Sequence, residues 1–169
     1  GIKDIQINFD DSVAVIATMN GAVSILHCTT GKKIQQLQLA PQSISCVAIS
    51  DDDNTIAIGS RDGQIQYWRP KTNILISETT LSKECISFMH FIGEKTIFIG
   101  YDSGILECRN KDTSTLYWQY QFTSVRLTKC TTSLDEQLLA IGGYDGKIYV
   151  LAADTGKIMT QFSVHTKQI

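Results

Sequence analysis

The sequence predicts an all-β protein made of about four four-stranded antiparallel sheets in tandem. A glycine that closes a polar turn recurs at intervals of 42, 41 and 42 residues, as Gly21, Gly63, Gly104 and Gly146. Around each glycine, short apolar stretches alternate with polar turns, and none shows the roughly 3.6-residue period of an amphipathic helix. Regular repetition at this length is typical of architectures in which each repeat is one supersecondary unit.

Each repeat opens with two apolar strands. The first has hydrophobic residues at relative positions 0, 2, 3 and 5, apart from Asp4 in the first repeat and Thr128 in the fourth, a pattern that predicts opening strands over residues 2–7, 44–49, 86–91 and 125–130. A polar turn follows, and then a second run that is apolar at nearly every residue, over 13–17, 55–59, 96–100 and 138–142. Such continuous runs indicate strands that are covered on both faces.

Two turns define the second half of each repeat. Asn20-Gly21, Asp62-Gly63 and Asp145-Gly146 predict tight two-residue hairpins in which both residues adopt positive φ. An alternating apolar strand follows each of them. A second turn, with glycine at Gly31 and Gly156 and with Asn73 and Ser114 at the corresponding positions, then leads into a fourth strand.

The stretch from residue 59 to 68, GSRDGQIQYW, resembles the hairpin of a WD repeat, with Trp68 at the family's tryptophan position. Val164-His165-Thr166 resembles the Gly-His-Thr that opens a WD blade. The resemblance implies a partial β-propeller over residues 1–169, with blades at about 2–42, 43–83, 84–123 and 124–164, and a further blade starting at 165–169.

In that family a buried His, Ser or Thr, Asp and Trp can form a hydrogen-bonded tetrad that holds a blade together. The second repeat offers Ser60, Asp62 and Trp68, but Ala40 stands where the histidine belongs. The resemblance assigns structural roles to these three residues, and also to Asp145 and His165. Because no repeat has all four groups, packing is expected to hold the blades together more than polar contacts do.

A second resemblance leads to a different function. Residues 138–160 are also similar to quinoprotein-dehydrogenase-type propeller repeats, which would imply a section of a quinone-dependent enzyme. Both families build four-stranded blades, so the predicted fold is the same for both.

Ring closure raises a separate expectation. Rings of WD-like blades usually need about seven or eight units to close without an open edge. The chain is therefore expected to be a section of a longer propeller, or a half-ring that dimerises.

Composition disfavours several partners. The net charge is −2, from 15 basic and 17 acidic residues, without the clustered basic face that nucleic acids or anionic membranes require. No apolar run approaches the roughly 18 residues that span a bilayer. The five cysteines are scattered and lack Cys-x-x-Cys spacing, which indicates free thiols in a reducing compartment. Nucleic-acid and membrane partners are therefore not expected, and the location is predicted to be cytoplasmic, with the nucleus as the alternative.

No catalytic or metal-binding constellation stands out. His27, His90 and His165 lie in different repeats, without a second ligand or a carboxylate at diagnostic spacing. Asp51-Asp52-Asp53 falls in a predicted turn and lacks the glycine and glutamate of a calcium loop. The glycine-rich stretch from 142 to 146 precedes a strand, so it provides no helix terminus for phosphate. The sequence therefore predicts a non-enzymatic protein without cofactors or metals.

The hairpin turns remain as candidate binding positions. In WD propellers these loops surround one mouth of the central channel. The residues just before the turn Asn or Asp are Met19, Arg61 and Tyr144, and Asp102 is their shifted counterpart in the third repeat. Arg, Tyr and Met are enriched at protein interfaces, so these four residues are predicted to bind protein partners or peptides as part of a scaffold within a multi-protein assembly.

Overall fold

A computed structural model of the chain describes residues 1–8, 10–38 and 44–164. Their regular elements are sixteen β-strands: β1 (Ile2–Ile7), β2 (Val13–Thr18), β3 (Ala22–His27), β4 (Lys33–Gln38), β5 (Ile44–Ile49), β6 (Ile56–Ser60), β7 (Gln64–Arg69), β8 (Ile74–Thr80), β9 (Ile86–Ile92), β10 (Thr96–Tyr101), β11 (Ile105–Asn110), β12 (Leu116–Gln121), β13 (Leu127–Thr132), β14 (Leu138–Gly143), β15 (Lys147–Ala152) and β16 (Ile158–Ser163). Within this described part, no helix is long and apolar enough to cross a membrane. The all-β prediction is confirmed.

Four consecutive strands form each sheet, and every sheet is an antiparallel meander in chain order. The sheets, numbered here blades 1 to 4, form a four-bladed propeller arrangement. The first strands β1, β5, β9 and β13 contact one another from blade to blade, so they lie innermost and the fourth strands lie outermost. Ala40, His165 and the predicted further blade at 165–169 lie outside the described residues.

The opening strand of blade 4 begins two residues later than the sequence predicts. The strand runs over Leu127–Thr132 and not over 125–130. A bulge pairs Leu127 with Gly143 and Lys129 with Gly142, at the place where the opening strands of the other three blades are also irregular. Val125 matches the first apolar position of the pattern but lies before the strand, next to the hairpin of blade 3. Its carbonyl oxygen is so close to Gly104 that a Cβ added to this glycine would be 2.4 Å away from it.

The hairpins between second and third strands also differ from the prediction. Only the glycine has positive φ, between 78° and 85° in the four blades, and the residue before it, which is Asn, Asp or Ser, does not. Each glycine nitrogen donates to the carbonyl three residues earlier, as Gly104 does to Tyr101 at 3.0 Å. Each loop therefore has three residues and ends in a left-handed glycine, which is another common hairpin geometry.

The turn before each fourth strand follows the prediction. Gly31, Asn73, Ser114 and Gly156 all adopt positive φ, between 56° and 68°. Asparagine tolerates this conformation better than most residues, because its side chain can hydrogen-bond locally.

Apolar faces of neighbouring blades meet in three buried clusters, one for each blade junction. Between blades 1 and 2 the cluster is formed by Val15, Ala17, Val23, Ile25, Leu37, Ile44, Val47, Ile56 and Ile58. Equivalent clusters join blade 2 to blade 3 and blade 3 to blade 4. The core of this protein therefore lies between the sheets, as in other repeat proteins.

The outward face of blade 1 has apolar residues at the same positions as blade 2, but these residues are exposed. Val47 of blade 2 is 0% exposed, whereas Ile5, at the same position of blade 1, is 50% exposed. Ile2 and Ile7, which correspond to Ile44 and Ile49, are exposed as well. On the far side of blade 4, Phe162 is exposed at the position that Leu37 occupies in blade 1. No described residue covers either face.

The two kinds of turn are expected to respond differently to substitution. A Cβ on Gly63 would stand 1.9 Å from the Ser82 carbonyl oxygen, whereas one on Gly31 would have no neighbour within 4 Å. We expect Gly63→Ala to lower the free energy of unfolding by well over the ~1–2 kcal/mol that a left-handed side chain costs by itself. Gly31→Asn is expected to cost less than about 1 kcal/mol. Urea denaturation of both variants measures the difference, and equal losses would contradict the predicted backbone clash.

Candidate functional site

The four predicted binding residues occupy one equivalent position. Met19, Arg61, Asp102 and Tyr144 are each the first residue of the hairpin between the second and third strands. Asp102 is therefore the direct counterpart of the other three and not a shifted one. Because the blades pack in the same sense, all four hairpins lie at the same end of the propeller.

A polar cavity of about 370 Å³ opens between the innermost strands and this end. It is lined by Lys3, Asp4, Ser45, Cys85, Ile86, Ser87, Asp102, Arg126, Leu127, Thr128, Lys129 and Tyr144. We call this cavity the channel mouth. The structure thus brings two of the four predicted residues, Asp102 and Tyr144, into one cavity, while Met19 and Arg61 are absent from its lining.

Arg126 joins these two residues. Its Nε donates to Oδ1 of Asp102 at 3.0 Å, and its guanidinium carbon lies 5.7 Å from the centre of the Tyr144 ring. Ser87 Oγ also donates to Oδ1 of Asp102. Backbone hydrogen bonds fix the surroundings, since the Tyr144 nitrogen donates to the Arg126 carbonyl at 2.8 Å and the Asp102 nitrogen to the Cys85 carbonyl at 3.0 Å.

The sequence prediction missed Arg126. The two-residue phase error placed it inside the opening strand of blade 4, whereas it precedes that strand and faces the channel mouth. Starting the strand 19 residues before the hairpin glycine, as in blades 1 and 2, would have placed Arg126 immediately before it and revealed the residue.

A second charged pair crosses the channel from blade 4 to blade 1. Lys129 Nζ donates to Oδ1 of Asp4, which also accepts from the Ile5 nitrogen at 3.0 Å. The other oxygen of Asp4 accepts from the Val47 nitrogen at 3.0 Å. Both oxygens of this buried carboxylate therefore have donors within the protein.

Exposed charge at the channel mouth is mainly positive. The side chains of Arg126 and Lys129 are 54% and 57% exposed, whereas those of Asp102 and Asp4 are 35% and 6% exposed. With Lys3, the lining holds three cations and two carboxylates, a formal charge of +1, although the whole chain carries −2.

Thiol chemistry at this site is disfavoured. Burial raises the pKa of Cys85, and the neighbouring Asp102 raises it further. Burial also raises the pKa of Cys46 to about 12. Since the thiolate is the nucleophile, protonated thiols of this kind are inert near neutral pH.

The predicted structural residues act locally and not as a tetrad. Ser60 Oγ donates to Asp62, and the Gln64 nitrogen donates back to Ser60 Oγ at 2.9 Å. Trp68 stands at the far end of the same hairpin, where its Nε1 donates to Gln66 Oε1 at 3.1 Å. These contacts leave Trp68 separate from the Ser60–Asp62 pair.

Asp145 holds the corresponding hairpin of blade 4. Its Oδ2 accepts from Tyr149 Oη at 2.7 Å, and its Oδ1 accepts from the Lys147 nitrogen at 3.2 Å. The side chain therefore ties the turn to the strand that follows it.

A buried ion pair takes the place of the Trp68–Gln66 contact in blade 3. Arg109 Nε donates to Glu107 Oε2 at 2.8 Å, and its Nη1 donates to the Ser114 carbonyl at 2.7 Å. Tyr101 Oη donates to the same Glu107 oxygen at 3.0 Å. Both charged side chains are largely buried, so this pair belongs to the framework of the blade.

The opposite end of the channel shows capped turns and no metal site within the described residues. Asp52 Oδ1 accepts from Ser50 Oγ at 2.5 Å and from the Asn54 nitrogen at 3.0 Å, and these hydrogen bonds outweigh desolvation and lower the pKa of Asp52. His90 Nε2 lies 3.1 Å from Thr132 Oγ1, and burial lowers the pKa of His90. The imidazole is thereby kept neutral near pH 7.

The chain is similar to one repeat family and to two known proteins. Residues 31–69 match the family model of the WD domain, G-beta repeat. The chain is 27% identical over 179 aligned residues to the putative BTB/POZ domain and WD-repeat protein R61 of Acanthamoeba polyphaga mimivirus, covering 97% of this chain and 33% of that protein. It is 28% identical over 127 residues to Gem-associated protein 5 of Mus musculus, covering 69% of this chain and 8% of that protein.

The four four-stranded antiparallel blades define a β-propeller chain. The family match over residues 31–69, which includes Ser60, Asp62 and Trp68, and the similarity to a WD-repeat protein show that this propeller is similar to WD-repeat propellers. The chain spans about a third of the length of one of these relatives and less than a tenth of the other.

Substitution of two arginines distinguishes a residue that stabilises the fold from a residue of the channel mouth. Arg109→Ala leaves Glu107 buried without its cation, and we expect it to lower the free energy of unfolding by about 3–5 kcal/mol. Arg126→Ala breaks a half-exposed pair and is expected to cost less than about 1 kcal/mol. Urea denaturation measures both, and a large loss for Arg126→Ala would show that the channel mouth is itself part of the framework.

Proposed function

We propose that this chain is a non-enzymatic scaffold that binds protein partners on the hairpin end of its propeller. The observation that carries the proposal is the set of four turn side chains at equivalent positions on the hairpin end, two of which, Asp102 and Tyr144, line the channel mouth. The hairpins emerge from stacked sheets, so their side chains lose little conformational freedom when a partner docks. The WD-repeat protein among the relatives supports a binding role of this kind.

The chemistry of the site also supports binding over catalysis. At the channel mouth the carboxylates Asp4 and Asp102 are held by donors from the protein, and the Cys85 thiol is protonated near neutral pH. None of these groups is poised as a general base or a nucleophile. A quinoprotein-like enzyme section has no specific observation in its favour.

The exposed apolar faces of blades 1 and 4 support a second part of the proposal. We infer that further blades of the same kind cover these faces, supplied by the same polypeptide or by a second copy. The buried junctions show which side chains such a blade would bring, because Val15, Val23 and Leu37 already cover the equivalent face of blade 2.

A double substitution on the hairpin end tests the scaffold proposal. Arg61→Glu with Tyr144→Ala reverses one charge and removes one aromatic ring at the first positions of two turns. We expect partners that cross-link to the wild-type chain in cells to be lost from the variant by a factor of about thirty or more, because one interface hot spot contributes at least about 2 kcal/mol. Quantitative mass spectrometry of the cross-linked complexes measures the loss.

Arg69→Glu with Tyr117→Ala is the matched control. It makes the same chemical changes at exposed positions near the opposite end of the blades, at the end of β7 and the start of β12. This control is expected to retain the partners. Equal retention by both double variants would place the binding surface elsewhere and would refute the proposal.

A further inference from the structure

We propose that the channel mouth binds a carboxylate side chain from an acidic segment of a partner protein, with Arg126 and Lys129 as the residues that contact it. This inference rests on the proposed function, which it deepens by naming the chemistry of the partner. It follows from which charges at the channel mouth are already satisfied and which remain exposed.

Arg126 has unused donors at this site. Only its Nε forms a hydrogen bond among the described residues, and the acceptor is Asp102. The two terminal nitrogens have no acceptor in that part of the chain, although the side chain is held in place by the Asp102 carboxylate and the Tyr144 ring. A guanidinium fixed in this way offers paired N–H groups that match the geometry of a carboxylate.

Lys129 adds a second exposed cation across the same cavity. Its ammonium group binds one oxygen of Asp4, and an ammonium has three donors. Asp4 is buried and accepts from the Ile5 and Val47 nitrogens as well, so its charge is compensated within the protein. An incoming anion therefore meets exposed cations, while the carboxylates of the site are turned toward the protein's own donors.

The dimensions and charge of the site favour an acidic peptide over a nucleic acid. A cavity of about 370 Å³ has room for one or two side chains. A phosphate backbone is usually bound by a long row of basic residues, whereas this lining has three cations and the whole chain carries −2. Charge complementarity of this kind contributes specificity and speeds association.

Fluorescence anisotropy with defined probes tests the inference. The probe is a short fluorescein-labelled peptide in which glutamate alternates with glycine, and it is compared with the same peptide carrying glutamine. We expect the glutamate peptide to bind more tightly, with an affinity that falls as salt is added. Arg126→Gln and Lys129→Gln are each expected to weaken this binding by roughly five-fold or more, because charge-assisted hydrogen bonds are lost.

Lys157→Gln is the control variant, since it removes an exposed positive charge from the outer turn of blade 4 and should leave binding unchanged. Circular dichroism confirms that each variant is folded. Lys3→Gln provides a further test on an exposed lining residue outside the ion pairs of the described chain, should Lys129→Gln fail to fold. Its expected effect is a weaker affinity for the glutamate peptide.

Three outcomes would overturn the inference: equal binding of both peptides, unchanged binding by the channel-mouth variants, or preference for a thymidine oligonucleotide of similar length. The scaffold proposal is judged separately by the cross-linking experiment. If partners depend on Arg61 and Tyr144 but the glutamate peptide does not bind, only the assignment of an acidic partner is wrong.

Discussion

The structure depends on one constraint: each blade is a sheet with two apolar faces, and both faces must be covered. Burial of one Val, Leu or Ile side chain contributes roughly 1.5–3 kcal/mol, and each described blade junction buries several. Exposed ion pairs, by contrast, contribute about 1 kcal/mol or less. Packing between blades is therefore the dominant stabilising contribution, and it sets the positions of the hairpins that form the channel mouth.

Polar residues serve a different purpose in this fold. Ser60 with Asp62, and Asp145 with Tyr149, tie individual turns to their own strands. The buried Glu107–Arg109 pair occupies the positions that Gln66 and Trp68 hold in blade 2, so one blade uses charge where another uses an indole. Equivalent positions can thus change their chemistry as long as the apolar faces still meet.

Much of the fold could be predicted from the sequence, because the same residue pattern occurs four times in the chain. The glycine period located every hairpin, and Asn73 and Ser114 were identified as substitutes for glycine, as their positive φ confirms. The opening strand of blade 4 was misplaced because Val125 imitates the first apolar position. The hairpin type was also wrong, since Asp-Gly fits a two-residue turn and a three-residue turn equally well.

The binding site was harder to predict, for a physical reason. Asp102 belongs to blade 3, Arg126 precedes the first strand of blade 4 and Tyr144 lies in its hairpin, so only the stacking of two blades brings them together. The Asp4–Lys129 pair links the first blade to the fourth. A repeat pattern shows what each unit has in common with the others, whereas this site depends on the residues in which they differ.

The stabilising role of contact between blades is tested most directly by the same substitution at one repeat position in two blades. Val47 is buried between blades 1 and 2, and Ile5 is half-exposed at the equivalent position of blade 1. Val47→Asp should lower the free energy of unfolding of this chain by at least roughly 3 kcal/mol, because apolar burial is lost and a carboxyl group is buried. Ile5→Asp should change it by less than about 1 kcal/mol, as surface substitutions usually do. Equal losses in urea denaturation would contradict the claim that contact between blades holds this protein together.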